Sequence, residues 1–204
     1  MPAGDPQERE LARRVRAGLD ASAETQRATA RACAPAIAHA ALRLVETFRS
    51  GGRVLAFGNG GSAADAQHLA AELAGRFERE RPGLPALALT ANSSDLTAIG
   101  NDYGFDAVFA RLVQAHGRSG DLAVAISTSG ISPNVLAGVE AARDAGLSTL
   151  ALTGRDGGKL AALADLAIVV PSDVTARIQE AHIAVIHLLC EIVESALFPG
   201  PERR

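Results

Sequence analysis

His68 and Glu72 stand four residues apart in GNGGSAADAQHLAAEL (58–73), so on a helix they share one face. Gln179 and His187 are eight apart in TARIQEAHIAVIHLLCEIV, again one helix face, with Ile183 between them. Imidazole, carboxylate and carboxamide oxygens are groups that hold a divalent metal or exchange protons near neutral pH. Each residue also has an ordinary structural role. His68 with Glu72 suits a surface pair worth roughly 0.2–0.5 kcal/mol, His187 a core histidine with a satisfied ring, and Gln179 beside Glu180 a solvated helix start. His39, His116 and His182 lack such company and are assigned to structure or surface.

The helix carrying His68 opens at Gly58, Asn59, Gly60, Gly61 and Ser62, and a second loop of similar character, STSGIS, spans 127–132. Helix starts expose unpaired backbone N–H groups and the positive end of the dipole. Glycines that let the chain come close and hydroxyls that add donors turn such a start into an anion site, with phosphate the natural guest. The ordinary alternative is that Ser62 and Ser132 are N-caps and the glycines form turns. Three consecutive hydroxyls, Ser127 to Ser129, serve no packing purpose and otherwise make local turn bonds. GNGGSA also fits a loose dinucleotide pattern, yet ALALTAN ends its strand without an acid, Asp95 coming late, and no Gly-Lys-Ser/Thr phosphate loop is present.

These residues need elements to hold them. Residues 8–48 are rich in Ala, Leu, Arg and Glu and read as helix, with a break expected near Pro35. Short apolar runs at 53–58, 86–90, 122–127, 148–154 and 166–171 end in turn residues and read as strands buried on both faces. Helical stretches at 63–77, 105–116, 133–145 and 158–163 alternate with them, and a long helix over 176–197 closes the chain. The alternation predicts an α/β fold with a parallel, helix-covered sheet, both Gly- and Ser-rich loops lying on its carboxyl edge. One domain is expected across 1–204, helical to about residue 50 and α/β over 51–198.

Composition narrows the chemistry. The formal net charge of −3, from 20 basic and 23 acidic residues spread along the chain, leaves no footprint for nucleic acid or a membrane surface. Lys159 is the only lysine and sits in a turn, which disfavours Schiff-base catalysis. Two distant cysteines form no disulfide framework, the first ten residues lack a signal-peptide pattern, and no apolar run spans a bilayer. A cytoplasmic protein is expected.

The segments GNGGSAADAQHLAAEL, RPGLPALALT, LTAIGNDYGF, AISTSGISPNVL, LTGRDGG and TARIQEAHIAVIH resemble the sugar isomerase (SIS) family, over nearly the whole chain past residue 50. The resemblance implies a three-layer α-β-α sandwich with a five-stranded parallel sheet. It implies that Asn59, Gly60, Gly61, Ser62, Glu72, Asn101, Asp102, Ser127, Thr128, Ser129, Ser132 and Gln179 bind substrate, the hydroxyls cradling a phosphate. His68, Glu72, Gln179 and His187 match the family's metal site, occupied by zinc in some members, one ion per subunit and no organic cofactor. The resemblance further implies a homotetramer with active sites between subunits. Ala176 departs from members that carry an acid before RIQ.

Aldose–ketose isomerisation of sedoheptulose 7-phosphate through an enediol is the activity this implies, an early step toward nucleotide-activated heptoses, with Glu72 as base and His187 as acid. The rival is a non-catalytic sugar-phosphate-binding or replication-initiator-associating protein on the same fold. The retention of both Glu72 and His187 speaks against it.

Overall fold

The computed structural model describes residues 5–200. Five strands, β1 (Val54–Gly58), β2 (Ala86–Ala88), β3 (Leu122–Ser127), β4 (Ser148–Gly154) and β5 (Leu166–Val170), form one parallel sheet in the order β2-β1-β3-β4-β5. Among the described residues seven α-helices surround it: α1 (Pro6–Arg49), α2 (Gly61–Ala74), α3 (Ser93–Tyr103), α4 (Val108–His116), α5 (Pro133–Asp144), α6 (Gly158–Leu163) and α7 (Thr175–Leu197).

Alternate residues of each strand feed two separate cores. Val54 and Ala56 of β1 join Val124 and Ile126 of β3 on one face, where Ile37 and Leu44 of α1, Leu69 and Leu73 of α2, and Ile186 and Leu189 of α7 pack. Leu55 and Phe57 point the other way, to Phe109 and Leu112 of α4 and Val135 and Val139 of α5. Both faces are covered, which is why these strands read as continuous apolar runs. The result is the expected three-layer sandwich. The chain leaves β1 for β2 on one side and later returns to place β3 on the other, so a crevice opens beyond the carboxyl ends of β1 and β3.

Four details differ from expectation. Helix α1 runs unbroken through Pro35. Proline in a helix interior costs about 3 kcal/mol, but Ile37, Leu44 and Val45 are buried just beyond it, each returning roughly 1.5–3 kcal/mol, and the Cys33 thiol donates to the Val169 carbonyl. Helix α2 begins two residues earlier, at Gly61, and ends at Ala74. Strand β2 stops at Ala88. Residues 93–103, unassigned from the sequence, are helical, capped by Asn92, whose Oδ1 accepts from the N–H groups of Ser94 and Asp95. Both cysteines are buried and free.

Candidate active site

Three helices that begin at the carboxyl edge of the sheet, α2, α5 and α7, have first turns whose N–H groups no side chain caps. Helix α2 starts after Gly60, whose φ of 56° suits glycine and whose missing side chain offers no cap. Helix α5 starts after Ser132, and its hydroxyl lies 3.0 Å from the Ser127 hydroxyl instead of bonding to its own helix. Helix α7 starts after Val174. Ser62 is a buried residue of the first turn of α2, with its N–H bonded to the Asn59 carbonyl. Neither serine therefore caps its helix through its hydroxyl, while the N–H groups of Ser62, Ala63 and Ala64 turn back to the Asn59 and Gly60 carbonyls and those of Val135 and Leu136 to the Ser132 carbonyl; the positive dipole end of each helix still faces this edge.

The two loops are fastened together. Asn59 and Asn134 exchange side-chain hydrogen bonds of 2.8 and 2.9 Å. Ser127, at the end of β3, has Ser129 and Ser132 hydroxyls around it at 3.5 and 3.0 Å, and the Ser129 hydroxyl accepts from the Ile131 N–H. Thr128 lies half-buried in the same turn. From below, the Leu160 N–H donates to the Gly130 carbonyl, so the turn after β4 braces this cradle.

Two turns into α2 the other cluster appears. His68 Nε2 is 3.1 Å from Glu72 Oε1 and 3.1 Å from His187 Nε2 of α7. The Phe77 ring backs the His187 imidazole at 5.7 Å between centroids. Nε2 of His68 carries at most one proton, so it cannot make a linear hydrogen bond to both neighbours. The cluster holds more lone pairs than protons. Gln179, two turns before His187, packs its carboxamide on Gly61, where a Cβ would collide with it.

Burial shapes the groups around this cluster. The Asp65 carboxyl, one turn before His68, is pushed up to about 6 by burial, partly opposed by His68, and its Oδ2 has no hydrogen-bond partner among the described residues. Burial, with Glu72 adding to it, pushes the Cys190 thiol up to about 12, which keeps it an inert packing residue. His182 is fully buried and bonded through Nε2 to the Thr153 carbonyl; burial lowers it to about 4. It is a neutral core residue, as its isolation in the sequence suggested.

The single chain thus gathers His68, Glu72 and His187 at one point, and gathers Asn59, Gly60, Gly61, Ser62, Ser127, Thr128, Ser129, Ser132 and Gln179 around the helix starts above. Asn101 and Asp102 stand elsewhere. They are exposed at the end of α3, and their described hydrogen bond is to each other, 2.8 Å from Asn101 Nδ2 to Asp102 Oδ1. Asp65 escaped the sequence reading, although its spacing from His68 and Glu72 puts all three on one helix face. Arg81, buried beneath Glu72, escaped it too, for nothing in RERPGLP sets it apart from its neighbour Arg79.

The SIS-domain family model matches residues 19–154. The chain belongs to the SIS family. Within it, a phosphoheptose isomerase of Rhodospirillum rubrum is 62% identical over 165 residues, covering 81% of this chain and 88% of the relative. One of Roseiflexus sp. is 57% identical over 180 residues, covering 88% and 91%. The solved phosphoheptose isomerase GmhA of Neisseria gonorrhoeae superposes with a TM-score of 0.86 at 47% identity, covering 91% of this chain and 99% of its own.

Proposed function

We propose that this chain is an aldose–ketose isomerase that interconverts D-sedoheptulose 7-phosphate and D-glycero-D-manno-heptose 7-phosphate, the first step toward nucleotide-activated heptoses. The observation that carries the proposal is the meeting of Glu72 and His187 around His68, below helix starts that no side chain caps. Similarity to phosphoheptose isomerases at 57% identity and above supports it.

The dimensions suit the substrate. From Gly61 to Glu72 is about 16 Å along the axis, and the glutamate side chain tilts back toward the helix start. An open seven-carbon chain with a terminal phosphate spans about 10 Å. With the phosphate on the first turns of α2 and α5, the sugar's C1 and C2 come within reach of the Glu72 carboxylate. Glu72 takes the proton from the carbon beside the carbonyl and returns it to the neighbouring carbon, while His187 supplies and recovers a proton at the oxygens. Fixing the phosphate aligns the reacting carbons and removes most of the entropic cost of the step.

Zinc fits the donor set. Two imidazole nitrogens and a carboxylate oxygen lie 3.1 Å apart in sequence of contact, close to the edge of roughly 3.3 Å that zinc bonds of 2.0–2.1 Å give a tetrahedron. They have too few protons to satisfy one another, which a cation relieves. As placed, the three side chains contact one another, and among the described residues no group of three or more His, Cys, Asp or Glu is arranged so that it could hold a metal ion, so binding one would require them to move apart. His68, Glu72 and His187 would hold the metal; the Gln179 carboxamide, expected as a fourth ligand, packs instead against Gly61 at the helix starts and would have to turn down to join them. Such an ion supplies charge to polarise the carbonyl.

A cytoplasmic homotetramer completes the proposal. Among the described residues no helix is long and apolar enough to cross a membrane. The outer half of α1 exposes Leu11, Val15 and Leu19, four residues apart along one face, which a second copy would cover. Deuterium exchange from solvent into sedoheptulose 7-phosphate, followed by NMR with and without chelator, tests the function. Exchange at C1 supports it; binding without exchange points to the non-catalytic alternative.

A further inference from the structure

Behind the acid–base cluster lies a buried ion pair. Arg81 and Glu194 meet through Nε and Oε1 at 2.8 Å, with side chains 1% and 2% exposed. Arg81 turns the rest of its guanidinium onto the end of α2: Nη2 donates to the Glu72 carbonyl at 2.8 Å and Nη1 to the Leu73 carbonyl at 2.8 Å. Glu194 stands on α7, seven residues beyond His187 and so on its side of the helix. Its carboxylate accepts from the backbone N–H groups of Phe77, Glu78 and Arg79 at 3.1, 2.8 and 2.7 Å. Burial pushes the Glu194 carboxyl up, but these donors and Arg81 outweigh it and hold it below its ordinary value.

Each partner thus reaches one member of the acid–base pair. Arg81 fixes the backbone of Glu72. Glu194 fixes the backbone of Phe77, whose ring rests against the His187 imidazole. A buried ion pair is an expensive way to join two helices, since apolar side chains of similar volume hold them at least as well. What a fork of directed bonds adds is a fixed register between α2 and α7. We propose that the Arg81–Glu194 pair is a positioning device that sets the Glu72 carboxylate and the His187 imidazole at their working separation. The inference rests on the assignment of Glu72 and His187 as base and acid.

The test is R81K, which keeps the buried charge but cannot reach the carbonyls of Glu72 and Leu73 together with Glu194. It is measured beside L112A, a cavity in the opposite core that destabilises without touching either helix. The readouts are kcat and KM for sedoheptulose 7-phosphate, the melting temperature, and the imidazole 15N resonances of His68 and His187. R81K should melt cooperatively, keep KM within about threefold, lose at least tenfold in kcat, and shift both imidazole signals. L112A should lose melting temperature with kcat and both signals unchanged. If R81K and L112A lose melting temperature alike and R81K keeps kcat within twofold and its imidazole signals in place, the pair is structural only and the proposal falls. Should R81K fail to fold, E194Q, which keeps one of the two acceptor oxygens, replaces the other by a donor and drops the charge, is judged by the same readouts. If the parent protein does not turn over the sugar phosphate, the functional assignment fails, and the imidazole spectra alone decide whether the pair sets the register.

Discussion

Nε2 of His187 lies 3.1 Å from Nε2 of His68, across the seam between two helices that run parallel. The same seam brings Gln179 to Gly61 above and Glu194 to Phe77 below, an almost constant offset in sequence. Two segments more than a hundred residues apart therefore act as one two-sided wall, with uncapped helix starts at its top and the His68, Glu72 and His187 side chains lower down.

Substituting the base separates chemistry from binding. E72Q should slow deuterium exchange into sedoheptulose 7-phosphate by about 10³-fold while the sugar phosphate still binds within a few-fold, measured by calorimetry. H187A should slow turnover by a comparable factor. Normal exchange in both variants would show that the cluster is not the catalytic one.

The cradle should show the opposite pattern. Ser127 and Ser132 share a 3.0 Å contact in place of a helix cap, and removing a hydroxyl that bonds a charged phosphate costs about 1.5–3 kcal/mol. S132A and S127A should raise KM about 10–100-fold with a smaller change in kcat, since that bond exists before and during the reaction. Steady-state kinetics with inorganic phosphate as competitor checks the assignment.

Metal dependence has both a kinetic and a thermal readout. Dialysis against a chelator should lower turnover and melting temperature together, and zinc should restore both, because a ligand that binds only the folded state stabilises it. Unchanged activity after exhaustive chelation, with metal absence verified by elemental analysis, would leave Glu72 and His187 acting without an ion.

Acid should unfold the protein partly through His182. Its imidazole titrates at about 4 when folded, against an ordinary 6.5, so between those values the unfolded chain binds more protons and stability falls as pH is lowered through the window. The full contribution, about 3 kcal/mol, is present above pH 6.5. H182Q, which can still donate to the Thr153 carbonyl, should flatten the melting-temperature slope between pH 4 and 6.5. Asp65, raised to about 6, acts in the opposite sense, and comparing parent with variant cancels it.

The exposed stripe on α1 makes the assembly testable. L11E, V15E and L19E combined should leave the fold intact, since none of these side chains belongs to the core, and should lower the oligomeric mass seen by light scattering.

The sequence carried the sheet well because strands covered on both faces announce themselves as apolar runs, and both loops were visible as glycine and hydroxyl clusters at the ends of those runs. Helix α3 was missed because Gly100 and its many short polar residues blur the apolar period, even though Asn92 marks its start. Pro35 misled because helix continuity there depends on packing against distant elements. His68, Glu72 and His187 were legible from spacing. Arg81 and Glu194 were not, for nothing local distinguishes a buried fork from a surface charge, and only the fold brings them within 2.8 Å.

The first turns of α2 and α5 and the hydroxyls beside them carry no charged side chain, and the chain as a whole is at −3. On the proposed function, a doubly ionised sugar phosphate would not be drawn in from afar; it would be recognised only on arrival, by donors that act over a few ångströms. Capture by such a site should be nearly indifferent to ionic strength, with selectivity for the length of the carbon chain rather than for charge.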